Sequence, residues 1–136
     1  MTMVNSSIPS ASACPFCQPA AELLLCERPL ALALADRYPL TPGHCLIVPR
    51  RHIASLFDAT AAEREALFAL LSRCRERLRR QGVVDFNIGI NEGAAAGQTI
   101  AHLHLHLIPR RSGDVAEPRG GVRWIFPDRA AYWEQS

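Results

Sequence analysis

The segment Ala101-His102-Leu103-His104-Leu105-His106-Leu107-Ile108 constrains this chain more than any other stretch. Leucine and imidazole side chains alternate through it with a period of two, the period of an extended strand whose side chains point to opposite faces in turn. The pattern predicts a strand over 100–108, the strongest in the chain, with Leu103, Leu105 and Leu107 in a core. His102, His104 and His106 then share the other face, about 6–7 Å apart per step. Three of the five histidines of the chain stand here. Two chemistries use imidazoles in register. Rings at i and i+2 can share a zinc or copper ion. Alternatively, a neutral imidazole attacks phosphorus to give a phosphoramidate, while neighbouring rings donate to the phosphoryl oxygens. The second requires that the other nitrogen of the nucleophile be fixed by a hydrogen bond, so that the attacking one carries no proton.

The flanks favour phosphorus. Gly93–Thr99, just upstream, is a loop of small residues ending in Gly97-Gln98-Thr99. Glycine lets backbone N–H groups approach an anion, and Gln and Thr add side-chain donors. Arg110 and Arg111, just downstream, add positive potential.

Around this segment the chain reads as one domain. It has 136 residues, 49% of them hydrophobic and 21% charged, with a net charge of +2. So small a charge gives no ground for a nucleic-acid partner. No apolar run reaches the ~18 residues of a membrane span, and nothing near the start reads as a secretory signal. Five cysteines at irregular spacing do not form a disulfide framework and point to a reducing, cytoplasmic setting. Residues 1–13, rich in Ser and Ala, read as a flexible tail before a domain over 14–136. Period-2 runs predict strands over 22–27, 30–35, 44–48 and 84–91 besides 100–108. Leu30, Leu32 and Leu34 share one face of the second. Thr60-Ala61-Ala62-Glu63 reads as a capping box opening a single long helix. Leu67, Leu70, Leu71, Cys74 and Leu78 lie on one face of it, arginines crowd its last turns as a solvated face, and Gly82 stops it. Strands on both sides of one helix give an α+β fold with a mostly antiparallel sheet. Cys14-x-x-Cys17 is either a redox pair or half of a four-ligand zinc site that histidine must complete. Cys26, Cys45 and Cys74 read as small buried hydrophobes.

The run from Gly97 to Arg110 resembles the defining motif of the histidine triad (HIT) family of nucleotide hydrolases and transferases. Pro42-Gly43-His44-Cys45-Leu46-Ile47-Val48-Pro49-Arg50-Arg51-His52 resembles its second characteristic segment, and Asn91-Glu92-Gly93 stands at the family spacing. The likeness covers roughly residues 14–127. It implies a HIT-like fold: a five-stranded, mostly antiparallel sheet with one long helix and a short one. It implies cleavage of NMP–X bonds at the α-phosphate of adenine-type nucleotides through a nucleotidyl-histidine. Dinucleoside polyphosphates such as diadenosine tetraphosphate, or nucleoside phosphoramidates, are the implied substrates.

The resemblance also assigns roles. His104 is the implied nucleophile, and His106 contacts the α-phosphate. Gly97 and Thr99 line the phosphate loop, with Gln98 near the leaving group. Asn91 is a polar contact, Asp36 pairs with the ribose hydroxyls, and Arg37 follows it. His44 is expected to support these groups from behind. One branch of the family carries structural zinc on residues matching Cys14, Cys17, His52 and His102. Homodimerisation is expected from likeness to the small single-domain members. The tail from Arg119 to Pro127 resembles that of some bacterial-type members, and Trp124 there suits stacking on a base or packing in a dimer. Two other readings stay open: a non-catalytic nucleotide-binding regulatory module, and a His-cluster metal-binding protein.

Overall fold

The computed structural model describes residues 13–134, so the tail expected over 1–13 falls outside the described residues but for Ala13. Alternation in strand β2 (Ala31–Ala35) sets the layering. Ala31 and Ala33 face one core, and Leu32 and Leu34 face another on the opposite side of the sheet. β3 (Cys45–Pro49) repeats the division, with Cys45 and Ile47 on the alanine side and Leu46 and Val48 on the leucine side. The first core is covered by helix α1 (Ala61–Arg80), whose Leu67, Leu70, Leu71, Cys74 and Leu78 are all buried. Small alanines on that side of β2 let the helix lie close to the strand. The second core is covered by the N-terminal segment through Cys14 and Phe16.

Three more strands, β1 (Leu24–Glu27), β4 (Asp85–Ile90) and β5 (Leu105–Arg110), complete one sheet in the order β1-β2-β3-β5-β4. Every neighbouring pair is antiparallel. A short helix α2 (Pro127–Ala130) follows a 3-10 turn over Gly121–Ile125. The expected class, strand number and helix pair are all found.

α1 opens with the expected capping box. The Thr60 hydroxyl accepts the Glu63 N–H at 3.0 Å, and Glu63 Oε1 accepts the Thr60 N–H at 2.8 Å. The same carboxylate holds Arg51 at 2.8 Å. The helix ends beside Gly82, whose φ of +98° continues the chain away from it. Gly43 also has a positive φ, +93°, and a Cβ there would sit 2.9 Å from Leu78 Cδ2. The turn into β3 thus passes too close to α1 for a side chain.

Two strand expectations are corrected. The run expected as a strand over 22–27 begins with a 3-10 turn at Ala21–Leu23, and pairing starts only at Leu24. The histidine strand expected over 100–108 starts at Leu105, so of the three histidines only His106 lies in the ladder. Residues 101–104 make no strand pairing, because the Leu103 N–H donates to the Ile53 carbonyl at 2.6 Å instead. The alternation nevertheless persists: Leu103, Leu105 and Leu107 all enter the α1-side core.

Candidate functional site

β3 and the lead-in to β5 diverge above the pairs Leu46↔His106 and Ile47↔Leu105. A hollow of about 500 Å³ opens there, on the face away from α1. Seven residues singled out in the sequence line it: Asp36, Arg37, Asn91, Gly97, Thr99, His104 and His106. Leu34, Leu46, Phe16 and Ile100 give it an apolar wall.

His104 is only 8% exposed. Its Nδ1 lies 2.8 Å from the His102 carbonyl oxygen. A carbonyl only accepts, so Nδ1 carries the proton and donates it, and Nε2 keeps a free lone pair. Beside it, the Leu40 N–H donates to His44 Nδ1 at 3.1 Å. The His44 proton therefore sits on Nε2, which lies 3.0 Å from His106 Nδ1 and 3.4 Å from Asp36 Oδ2. His106 Nδ1 is then an acceptor, and His106 Nε2 is left as a donor. Burial pushes the His106 pKa below its ordinary value; His104 and His44 add to this, and Asp36 opposes it. Burial also lowers His44, against the pull of Asp36. The pocket thus offers one imidazole lone pair next to one imidazole N–H, both rings held in their tautomers by hydrogen bonds.

Four more groups gather at the N-terminal side. Ligand atoms of Cys14, Cys17, His52 and His102 all lie within 4.8 Å of one another. His102 Nε2 donates to the Pro49 carbonyl at 2.7 Å, which leaves Nδ1 free as the ligating atom. That Nδ1 is 3.2 Å from His52 Nδ1, 3.4 Å from Cys14 Sγ and 3.5 Å from Cys17 Sγ. Tetrahedral zinc with ordinary bond lengths separates two nitrogens by about 3.3 Å and nitrogen from sulfur by about 3.5 Å. The donor set and its spacings fit zinc with no position left for water.

Residues 19–113 match the HIT domain family. The chain belongs to the HIT family. Among its curated relatives is a bis(5'-nucleosyl)-tetraphosphatase (asymmetrical) from Schizosaccharomyces pombe, 36% identical over 65% of this chain and 49% of that protein. An AP-4-A phosphorylase from Mycobacterium tuberculosis is 35% identical over 68% of this chain and 48% of its own length. The chain therefore spans about half the length of these two relatives. A solved zinc-bound histidine triad family protein from Mycobacterium smegmatis superposes with a TM-score of 0.70 at 32% identity, covering 79% of this chain and 82% of that one.

Within this HIT domain, two residues stand apart from the expectations drawn for them. Gln98 does not line the hollow: its amide donates to the carbonyls of Ala54 (3.0 Å) and Ile100 (3.1 Å), and its oxygen accepts the Gly93 N–H (2.9 Å). It ties the glycine loop to the segment after β3 and to the lead-in to β5. Trp124 lines a different and larger hollow, about 880 Å³, that contains none of the histidines. Its indole N–H donates to the Arg119 carbonyl at 2.7 Å. Sequence reasoning missed Phe16. Its ring centroid lies 4.9 Å from that of His104 and 5.7 Å, edge-on, from that of His102. The signal was its place between the two cysteines, which lie against His102.

Proposed function

We propose that this HIT domain is a hydrolase that cleaves NMP–X bonds through a nucleotidyl group on His104, with dinucleoside polyphosphates such as diadenosine tetraphosphate as the leading substrates. The observation that carries the reading is the 2.8 Å bond from His104 Nδ1 to the His102 carbonyl, which keeps Nε2 unprotonated on a ring lining the pocket. Nε2 attacks the α-phosphorus, the bond from phosphorus to X breaks, and X leaves with its electron pair. The ring becomes a substituted imidazolium whose Nδ1–H still points at a carbonyl oxygen, which offsets the new charge. His106 Nε2–H donates to a phosphoryl oxygen as charge builds there. Gly97, Thr99 and Asn91 flank the phosphates, and Gln98 serves by holding their loop. Asp36 accepts from the ribose hydroxyls, with Arg37 beside it, and the base rests on the apolar wall. Water then attacks the phosphorus and gives up a proton to solvent, the P–N bond breaks with its electron pair returning to Nε2, and NMP leaves a neutral imidazole. The names of the two curated relatives support a dinucleoside tetraphosphate as substrate, and that of the AP-4-A phosphorylase supports an adenylated one.

Cys14, Cys17, His52 and His102 would hold zinc, whose chemistry here is cross-linking: it staples the N-terminal segment over the sheet. Five cysteines, none of them in a disulfide, support a reducing, cytoplasmic location. A homodimer through the open edge of β4 is part of the same reading; Ile88, at 46% exposure, projects from that edge strand.

The test is trapping. The protein mixed with diadenosine tetraphosphate and quenched in neutral denaturant should carry one adenylyl group, mapped to His104. His104→Ala should lose turnover yet bind nucleotide within about tenfold of the parent, since loss of a nucleophile acts on the chemical step. No adduct and no AMP from any adenylated donor would leave a nucleotide-binding module instead.

A further inference from the structure

Four consecutive residues after β3 each reach a different part of the site. His52 joins the cluster of Cys14, Cys17 and His102. The Ile53 carbonyl accepts the N–H of Leu103, which stands between His102 and His104, at 2.6 Å. The Ala54 carbonyl accepts from the Gln98 amide at 3.0 Å. The Ser55 hydroxyl donates to Glu92 Oε1 at 2.9 Å. This stretch is itself pinned along its length. Before it, Arg51 donates to Glu63 Oε1 and Oε2 at 2.8 and 3.0 Å and to the Asp58 carbonyl at 3.0 Å. In its middle, the Ile53 side chain is buried in the α1-side core. At its end, Ser55 Oγ accepts the Phe57 N–H at 3.0 Å and caps the 3-10 turn Leu56–Asp58. With a lone pair taken by Phe57, the single hydroxyl proton goes to Glu92.

The loop that reaches toward this stretch lacks such support. Residues 92–97 are all exposed. A Cβ at Gly93 or Gly97 would meet nothing within 4 Å. Burial does not fix the loop, so its place beside His104 rests on hydrogen bonds. The Ala96 and Gln98 N–H groups donate to the Gly93 carbonyl at 3.1 Å, and the Gly97 N–H donates to Ala94 at 3.0 Å. These bonds keep the loop's shape but not its position. Among the described residues, two hydrogen bonds tie residues 92–98 to a segment distant in sequence, and both end on Ala54 and Ser55. Gln98 alone is one attachment, about which a loop can turn. Glu92, at the opposite end of the loop, is the second.

We propose, on the reading of His104 as the nucleophile, that Glu92 and Ser55 are positioning residues for the nucleotidyl transfer. Neither lines the hollow. Glu92 acts through its neighbours: Asn91, which does line it, and Gly93, whose carbonyl anchors the turn that presents Gly97. Donors displaced by a fraction of an ångström lose their aim at the phosphoryl oxygens where charge builds, so the cost falls on the chemical step.

Single-turnover mixing of the full-length protein, with zinc supplied, and saturating diadenosine tetraphosphate reads the rate of adenylyl transfer to His104. Glu92→Ala removes an exposed side chain and leaves the Ser55 cap in place, and it should slow transfer about tenfold. Ser55→Ala, which also uncaps the 3-10 turn, should slow it at least as much. The two together should be no slower than Ser55→Ala alone, because the shared bond is already gone. Glu92→Gln keeps the acceptor oxygen and should restore the rate to within about twofold of the parent. Amide hydrogen exchange over residues 92–98, measured without nucleotide, should quicken in Glu92→Ala and not in Glu92→Gln. Transfer by Glu92→Ala at the parent rate, additive losses in the pair, a Gln variant as slow as the Ala one, or exchange unmoved by Glu92→Ala would each overturn the positioning role while leaving His104 as nucleophile. A parent protein that takes up no adenylyl group would overturn both.

Discussion

His44 makes no contact with the reacting atoms in the proposed mechanism, yet it decides what His106 can offer. With the Leu40 N–H on its Nδ1, its Nε2–H must go to His106, and the His106 proton must then sit on the pocket side. His44→Ala removes that constraint. Turnover should fall about 10- to 100-fold, the scale for losing a hydrogen-bond partner that orients a functional side chain, while nucleotide affinity measured by calorimetry changes little. An equal loss in both would mean that His44 only packs. At this scale the sequence was informative about identity and poor about role. The triple-histidine spacing and the Gly-Gln-Thr run supplied His104, His106, Gly97 and Thr99, which meet in one hollow. The inward bonding of Gln98 and the approach of Phe16 to His104 depend on contacts between segments far apart in the chain, and no local pattern encodes them.

Helix α1 shows how much a local rule can carry. Its start, its buried stripe and its stop were all readable, since caps and period are properties of neighbouring residues. The Glu63 carboxylate that closes the capping box also pairs with Arg51, and these bonds hold its pKa at about 2, against an ordinary 4.5. A lowered carboxylate stabilises the fold above the unfolded value and stops doing so as pH falls through the folded one. His44 and His106 are lowered from near 6.5. The unfolded chain therefore protonates at these sites first, and stability declines as pH drops below about 6.5. Thermal melts should show Tm level near neutrality, falling below about 6.5 and falling further from about 4.5 toward 2. Glu63→Gln should shrink the lower step, to which Asp114 and Glu117, lowered by Arg110 and Arg119, also contribute, and should cost on the order of 1–2 kcal/mol at neutral pH. Strand edges were less legible than the helix. Alternation continued through His102 and His104, but the ladder did not, because the Ile53 carbonyl took the Leu103 N–H. Gly43→Ala meets both a positive φ and Leu78, and should lower stability by roughly 1–3 kcal/mol in denaturant melts.

For the molecule as a whole, the sheet has cores on both faces, and the N-terminal segment is the cover of one of them. That cover is short and rests on Cys14, Phe16 and the proposed metal. Removing zinc with a chelator, or changing Cys14 to Ser, should lower Tm and weaken nucleotide binding together, since Phe16 lies against His104. An unchanged Tm would count against the staple. Sedimentation should report a dimer that Ile88→Lys converts to monomer, if the β4 edge is where two copies meet. Neither prediction was available from periodicity, which describes one segment at a time. His102 joins the two halves of this design: its ring belongs to the metal cluster, and its carbonyl oxygen receives the His104 proton. A ring fixed by ligation restrains the His102 backbone, and with it the carbonyl that faces His104. A cation held by that ring would thereby act as a clamp on the aim of a neighbouring imidazole.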